Sequence, residues 1–294
     1  MKLVLIHGRD QQGQDPDVLQ SDWLAALDRG LQECHLPRPS GLQVEFPFFG
    51  DKLAELIRKL EEPILHDVLT RGPGKIDSSI TALQAEMLQE MADSPASTIS
   101  DSDVKAQLQG DVQTRDAQNW GWVIALAKAL DTAGLGGPTI DLVTHDVAVY
   151  LENFGVRKQV DAIVQKAFTG GPYVVVAHSL GSVVAYHVLR SVDAISDVRL
   201  FVTVGSPLGL KAVRTRLDLV PPCEMPGCIP TKMWFNARDP KDIVAAYPLD
   251  AGHFNIDPAI TNHSDVNNHT PNHHSIGGYL DDPEVARAIH GALV

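Results

Sequence analysis

The chain has 294 residues, 44% hydrophobic and 21% charged, a globular composition long enough to bury a sizeable core. That length fits one domain with an insertion as well as two domains. A formal net charge of -13 argues against nucleic acid and anionic membrane surfaces as partners, and reads as surface solubility.

The apolar stretch Met1–Ile6 breaks at His7-Gly8-Arg9-Asp10, too short for the core of a signal peptide. No apolar run approaches the roughly 20 residues of a membrane span. The expectation is a cytoplasmic chain without stable membrane association. Lys2–Ile6 reads as a strand covered on both faces. A polar loop comes next, then a helix from about Ser21 with Trp23, Leu24, Leu27 and Leu31 at helical spacing. Cys34 falls in that pattern and is expected to be a buried small hydrophobe. Leu42–Phe49 alternates like a strand, with Pro47 near its end.

Residues 50–115 change character. Lys52–Leu60, Pro63–Thr70 and Ile80–Met91 read as amphipathic helices, Ser94–Asp103 as a polar breaker, and no strand is evident. Helices are expected around Trp120–Leu130 and Asp141–Phe168, the latter dividing near Phe154-Gly155. From Tyr173 the pattern alternates. A strand runs to Ala177, a helix from Leu180 to about Val192, and strands over Val198–Val204 and Lys232–Asn236. Pro283–Leu293 is a final helix. Buried strands alternating with helices give an α/β chain with a parallel sheet and helices on both faces. Cys223 and Cys228 lie in a loop. With no secretory signal visible they are expected to stay reduced, and no further zinc ligands stand nearby.

One stretch carries chemistry. The buried run Tyr173–Ala177 ends in Ala177-His178-Ser179-Leu180-Gly181 and passes at once into a helix-forming sequence. An A-x-S-x-G strand-to-helix turn is the form of a nucleophile elbow. The serine sits at the apex, and small residues two positions to either side keep the turn from clashing. Serine needs a base within hydrogen-bond reach, and that base needs an orienting acid. On this architecture the chain order is serine, acid, histidine. Asp239 and Asp242 come after the Trp234–Asn236 strand, and His273 and His274 precede the final helix. His253, His263 and His269 lie farther from that helix. For the oxyanion, one donor is the amide of Leu180, directly after the serine. The turn His7-Gly8-Arg9 after the first strand offers the amide of Arg9 as the second, with His7 bracing the loop.

These residues resemble the α/β-hydrolase superfamily, in its bacterial serine esterase and lipase branch. The resemblance runs from His7-Gly8 to the last helix and includes the Gly205-Ser206-Pro207 turn. The motif departs in having Ala177 where the family has glycine. The chain also opens almost directly on the strand before the oxyanion loop, so the resemblance implies a trimmed, mostly parallel sheet of about six strands. Asp242, before Ile243-Val244, resembles the family's acid turn, with Asp239 as second choice. His274, before Tyr279 and a short helix, resembles its base, with His273 as second choice.

The resemblance implies a serine hydrolase that cleaves small-molecule carboxylic esters with Ser179, His274 and Asp242, needing no cofactor or metal. A lipase, thioesterase or amidase would use the same residues. A catalytically inactive hydrolase-fold binding protein is a second class. A metal-dependent hydrolase built on His263, His269, His273 and His274 is a third, although these lack the i, i+4 pairing of H-E-x-x-H. Oligomeric state is left open. The 171 residues between His7 and Ser179 exceed what short βα units need. Residues 50–115 are therefore expected to form a helical cap, with 1–49 and 116–294 as the core. Leu53, Leu56, Ile57, Leu60, Ile64, Leu65, Leu83, Met87 and Leu88 are its apolar positions. Trp120 and Trp122 sit where it rejoins the core.

Overall fold

The computed structural model describes residues 1–9, 11–71, 78–108, 120–132, 137–191, 197–218, 231 and 233–294. Six strands form one sheet, in chain order β1 (Lys2–Ile6), β2 (Gln43–Glu45), β3 (Tyr173–His178), β4 (Val198–Val204), β5 (Trp234–Ala237) and β6 (Thr261–His263). All are parallel, in the spatial order β2-β1-β3-β4-β5-β6. The chain steps outward from β1 to β2, then returns past β1 to β3. That reversal opens a crevice at the carboxyl ends of β1 and β3, where ligands bind in open α/β sheets.

Alternation along the strands divides two cores. Leu3, Leu5, Val174, Val176, Leu200 and Val202 face one side. They pack there against α1 (Pro16–Glu33) through Trp23, Leu27 and Leu31, and against α10 (Gly277–Leu280) and α11 (Pro283–Leu293) through Tyr279, Val285 and Ile289. Val4, Ile6, Val175, Ala177 and Phe201 face the other side. That side carries α2 (Gly50–Arg71), α3 (Ser78–Ala92), α4 (Asp101–Ala106), α5 (Trp120–Thr132), α6 (Gly137–Glu152), α7 (Phe154–Gln165), α8 (Leu180–Ser191) and α9 (Lys211–Asp218). Each large apolar side chain so buried contributes about 1.5–3 kcal/mol.

The helices of 50–115 share their core with the sheet face. Leu53, Leu56, Leu83, Met87 and Leu88 are buried in it, and Ile57 and Leu60 pack at its margin. Glu90 ties α3 to α9, accepting from the Lys211 and Ala212 backbone N–H groups at 2.7 and 2.9 Å. The side chains of Ile64, Leu65, Trp120 and Trp122, and the whole of Cys223 and Cys228, lie outside the described residues.

Several elements depart from expectation for local reasons. Helix α1 begins earlier, because Asp15 caps it by accepting from Asp17 N–H and Pro16 opens it. Pro63 does not start a separate helix, since α2 runs through it. The polar breaker contains the start of α4, whose Ser100 and Asp103 form a capping box. Strand β2 stops at Glu45, because Phe46, Phe48 and Phe49 turn in to pack around the His7 ring. Strand β6 is an addition to the expected elements. Cys34 is half-buried rather than buried, with its thiol donating to the Pro283 carbonyl at 3.2 Å.

Candidate active site

Ser179 directly follows β3 at φ +53°, in the left-handed region that non-glycine residues rarely adopt. Such a residue is held only by surroundings that over-determine it. Its N–H donates to the Val204 carbonyl on β4 at 3.2 Å, and its own carbonyl accepts from Ser182 N–H at 2.9 Å and Ser182 Oγ at 2.6 Å. Ser182 Oγ in turn accepts from Ser206 Oγ at 2.7 Å, and Ser206 Oγ accepts from Leu208 N–H at 3.2 Å. This hydroxyl relay fixes the elbow from the end of β4. Gly181 is required, because any Cβ there would collide with the His7 and Ile6 carbonyl oxygens. Helix α8 therefore starts directly against the end of β1.

His274 stands opposite the serine. Its Nε2 accepts from Ser179 Oγ at 3.0 Å, and its Nδ1–H donates to Asp242 Oδ2 at 2.8 Å. All three side chains are buried. Asp242 lies beyond β5, and its four contacts all come from donors. Oδ2 also accepts from the Tyr279 hydroxyl at 2.6 Å, while Oδ1 accepts from Val244 and Ala245 N–H at 3.0 and 3.3 Å. Burial alone would raise this carboxyl, but His274, Tyr279 and the Ala245 amide outweigh it and hold it below the ordinary aspartate value. Burial and the nearby Asp242 charge push the Tyr279 phenol well above its usual value, so it stays protonated and donates.

The second-choice residues form a pair of their own. Asp239 accepts from Lys241 N–H at 2.7 Å and Asn268 N–H at 2.8 Å. His273, at φ +53°, donates through Nδ1 to the Asn268 carbonyl at 2.9 Å and lies 3.3 Å from Asp239 Oδ2. Asn268 is fully buried and donates from Nδ2 to the Ser275 carbonyl at 2.9 Å. Asp239, Asn268 and His273 thus shape the loop that presents His274. The other candidate histidines engage separate partners: His253 beside Asp250, His263 at the end of β6 beside Asp282, and His269 beside Asp281. Among the described residues no cluster of three or more potential ligands is placed to hold a metal ion, and no helix is long and apolar enough to cross a membrane.

The loop after β1 closes the other side. A Cβ on Gly8 would lie 3.0 Å from Ser179 Cβ, so this turn runs directly against the serine. Arg9 comes next, its Nε donating to Asp146 Oδ2 on α6 at 2.8 Å, and Leu180, directly after the serine, is fully buried. His7 donates from Nδ1 to the Gly8 carbonyl at 2.6 Å and accepts at Nε2 from Phe49 N–H at 3.0 Å. Burial lowers its pKa to about 4, so the brace is a neutral ring. His178, the last residue of β3, is neutral too: burial and the neighbouring His274 lower its pKa to about 3.

Two histidines buried neutral make the fold sensitive to acid. An unfolded histidine takes up a proton near pH 6.5, whereas these two do so only near pH 4 and 3. Their contribution is complete above pH 6.5 and lost as pH falls below it, at up to ~2.7 kcal/mol per pH unit while both differ. Asp242, lowered in the fold, adds a loss in the same direction at lower pH. Urea midpoints at pH 7.5, 5.5 and 4.5 are expected to fall steeply, and a flat series would contradict the two neutral rings.

Sequence reasoning missed His178 and Asn268, and it named Ser206 and Tyr279 without their hydrogen-bonding roles. For His178 the signal available was its place inside the A-x-S-x-G motif. No family model, curated protein or solved structure matches the chain.

Proposed function

We propose that this chain has the α/β-hydrolase fold and is a serine hydrolase that cleaves carboxylic esters through an acyl-enzyme. The observation that carries the reading is the connected path from Ser179 Oγ to His274 Nε2 at 3.0 Å and from His274 Nδ1 to Asp242 at 2.8 Å. Ser179 Oγ attacks the ester carbonyl carbon while its proton passes to His274 Nε2. Asp242 stabilises the imidazolium and fixes its tautomer. The oxyanion is held by the Leu180 and Arg9 amides. Collapse expels the alcohol, which takes the proton from His274. Water then attacks the acyl-enzyme by the same route and releases the acid. Thioester or amide cleavage would use the same steps.

Substrate selection belongs, on this reading, to the helices of 50–115 acting as a cap. A groove of about 230 Å³ supports that assignment. It starts at Arg9 and lies between the α2 stripe Leu53, Ala54, Ile57 and the α6 residues Leu142, His145 and Asp146. Leu53, Ala54, Ile57 and Leu142 give it an apolar strip that suits an acyl chain, while Gln12, Arg58, His145 and Asp146 make the rest of the lining polar. A panel of p-nitrophenyl esters from acetyl to palmitoyl tests the activity. Turnover is expected for at least the short chains, and none across the panel would contradict the reading. Filling the groove with Ile57→Trp is expected to lower kcat/KM for octanoate about tenfold more than for acetate. Equal loss on both chains would move the acyl group elsewhere.

A further inference from the structure

We infer that His178, the residue immediately before the nucleophile, is a positioning residue for the base: it anchors the main chain of His274 through a hydrogen bond from its imidazole. The inference rests on the hydrolase reading above and adds a role to that same site. His178 Nε2 lies 2.7 Å from the His274 carbonyl oxygen. A carbonyl only accepts, so Nε2 carries the proton and donates. The ring is enclosed by Trp23 at 6.3 Å, Tyr279 at 6.3 Å and His274 itself at 4.8 Å between centroids. Gly205, at φ +56°, lies beneath it, where a Cβ would sit 3.2 Å from His178 Nε2. Gly8 closes on Nδ1, where a Cβ would also sit at 3.2 Å.

The device matters because His274 sits on a loop after the edge strand, not on a regular element. Asp242 and Ser179 hold its two ring nitrogens. Those contacts orient the ring but leave the backbone position to the loop. His178 supplies the third point, and it belongs to the same turn as Ser179. The distance between nucleophile and base is thus set within two consecutive residues of β3 and its elbow. A neutral ring is needed, since a charged one would require an acceptor at Nδ1 as well. The low pKa of about 3 keeps it neutral at working pH.

The test compares His178→Gln, His178→Asn and His178→Phe with the wild type. Glutamine places an N–H where Nε2 was, asparagine is too short to reach, and phenylalanine keeps the ring without the donor. In p-nitrophenyl acetate hydrolysis, kcat of the Asn and Phe variants is expected to fall on the order of 10²-fold with KM unchanged. His178→Gln is expected to recover most of that loss. Proton NMR reads the same point without turnover. The downfield Nδ1–H signal of His274 should persist in wild type and His178→Gln and broaden by exchange in His178→Asn and His178→Phe. Equal kcat in all variants that fold, or a Gln variant as impaired as the Asn variant, overturns the inference. So does an unchanged His274 signal. Absence of any ester turnover by the wild type would instead count against the hydrolase reading, and the NMR arm would still decide the anchor.

Discussion

Ester turnover by the Ser179→Ala variant is expected to fall about 10⁶-fold, with the fold retained. Among the described residues the side chain makes one polar contact, to His274 Nε2, so its removal subtracts little from packing or from the hydrogen-bond network. The backbone at this residue has a separate consequence. With φ at +53°, any L side chain is strained there by about 1–2 kcal/mol. Ser179→Gly removes that strain, while glycine gives back about 0.5–1 kcal/mol through the entropy of the unfolded chain. Ser179→Gly should therefore be inactive yet unfold at a higher denaturant midpoint than Ser179→Ala. Substantial activity in either variant would contradict the assignment of Ser179, and a less stable glycine variant would contradict the strain.

The second large effect is expected from Asp242→Asn, which should lower kcat about 10⁴-fold. Every group that faces Asp242 donates: two backbone amides on Oδ1, His274 and Tyr279 on Oδ2. An asparagine has one oxygen and one NH₂ to offer. The Val244 and Ala245 amides cannot reverse polarity, so the oxygen stays with them and the NH₂ turns to His274. His274 then accepts at Nδ1, carries its proton on Nε2 and cannot take the serine proton. Asp239→Asn is the control, since Asp239 is paired with His273 and Asn268 and does not touch His274. It should lose about 1–3 kcal/mol of stability and, acting only through the loop, lower kcat by about tenfold at most. Steady-state kinetics with urea unfolding separates the two, and equal kcat losses would contradict the pairing.

How much of this is legible in the sequence depends on the physics of each element. Buried apolar runs read well: β1 and β4 and the helix α11 fall where their patterns place them. Thr261-Asn262-His263 forms an edge strand of three polar residues, and nothing in its pattern separates it from a loop. At the site, Ser179 is marked by local geometry, because the elbow requires Ala177 and Gly181 beside it. The acid and base narrow only to neighbouring pairs, since two nearby loop residues point in different directions for reasons set far along the chain. Asn268 and Asp239 turn that loop so that His273 pairs with Asp239 and His274 with Asp242. His178, Ser206 and Tyr279 act on residues 24–96 positions away, a relation that no local pattern encodes.

The central claim is that Ser179 is an activated nucleophile. Incubation of the wild-type chain with a fluorophosphonate probe, then mass spectrometry of the proteolysed protein, measures this directly. One probe adduct is expected, on the peptide containing Ser179, and it should be absent from Ser179→Ala and slowed in Asp242→Asn. An unlabelled wild-type chain, or an adduct at any other residue, would contradict the account.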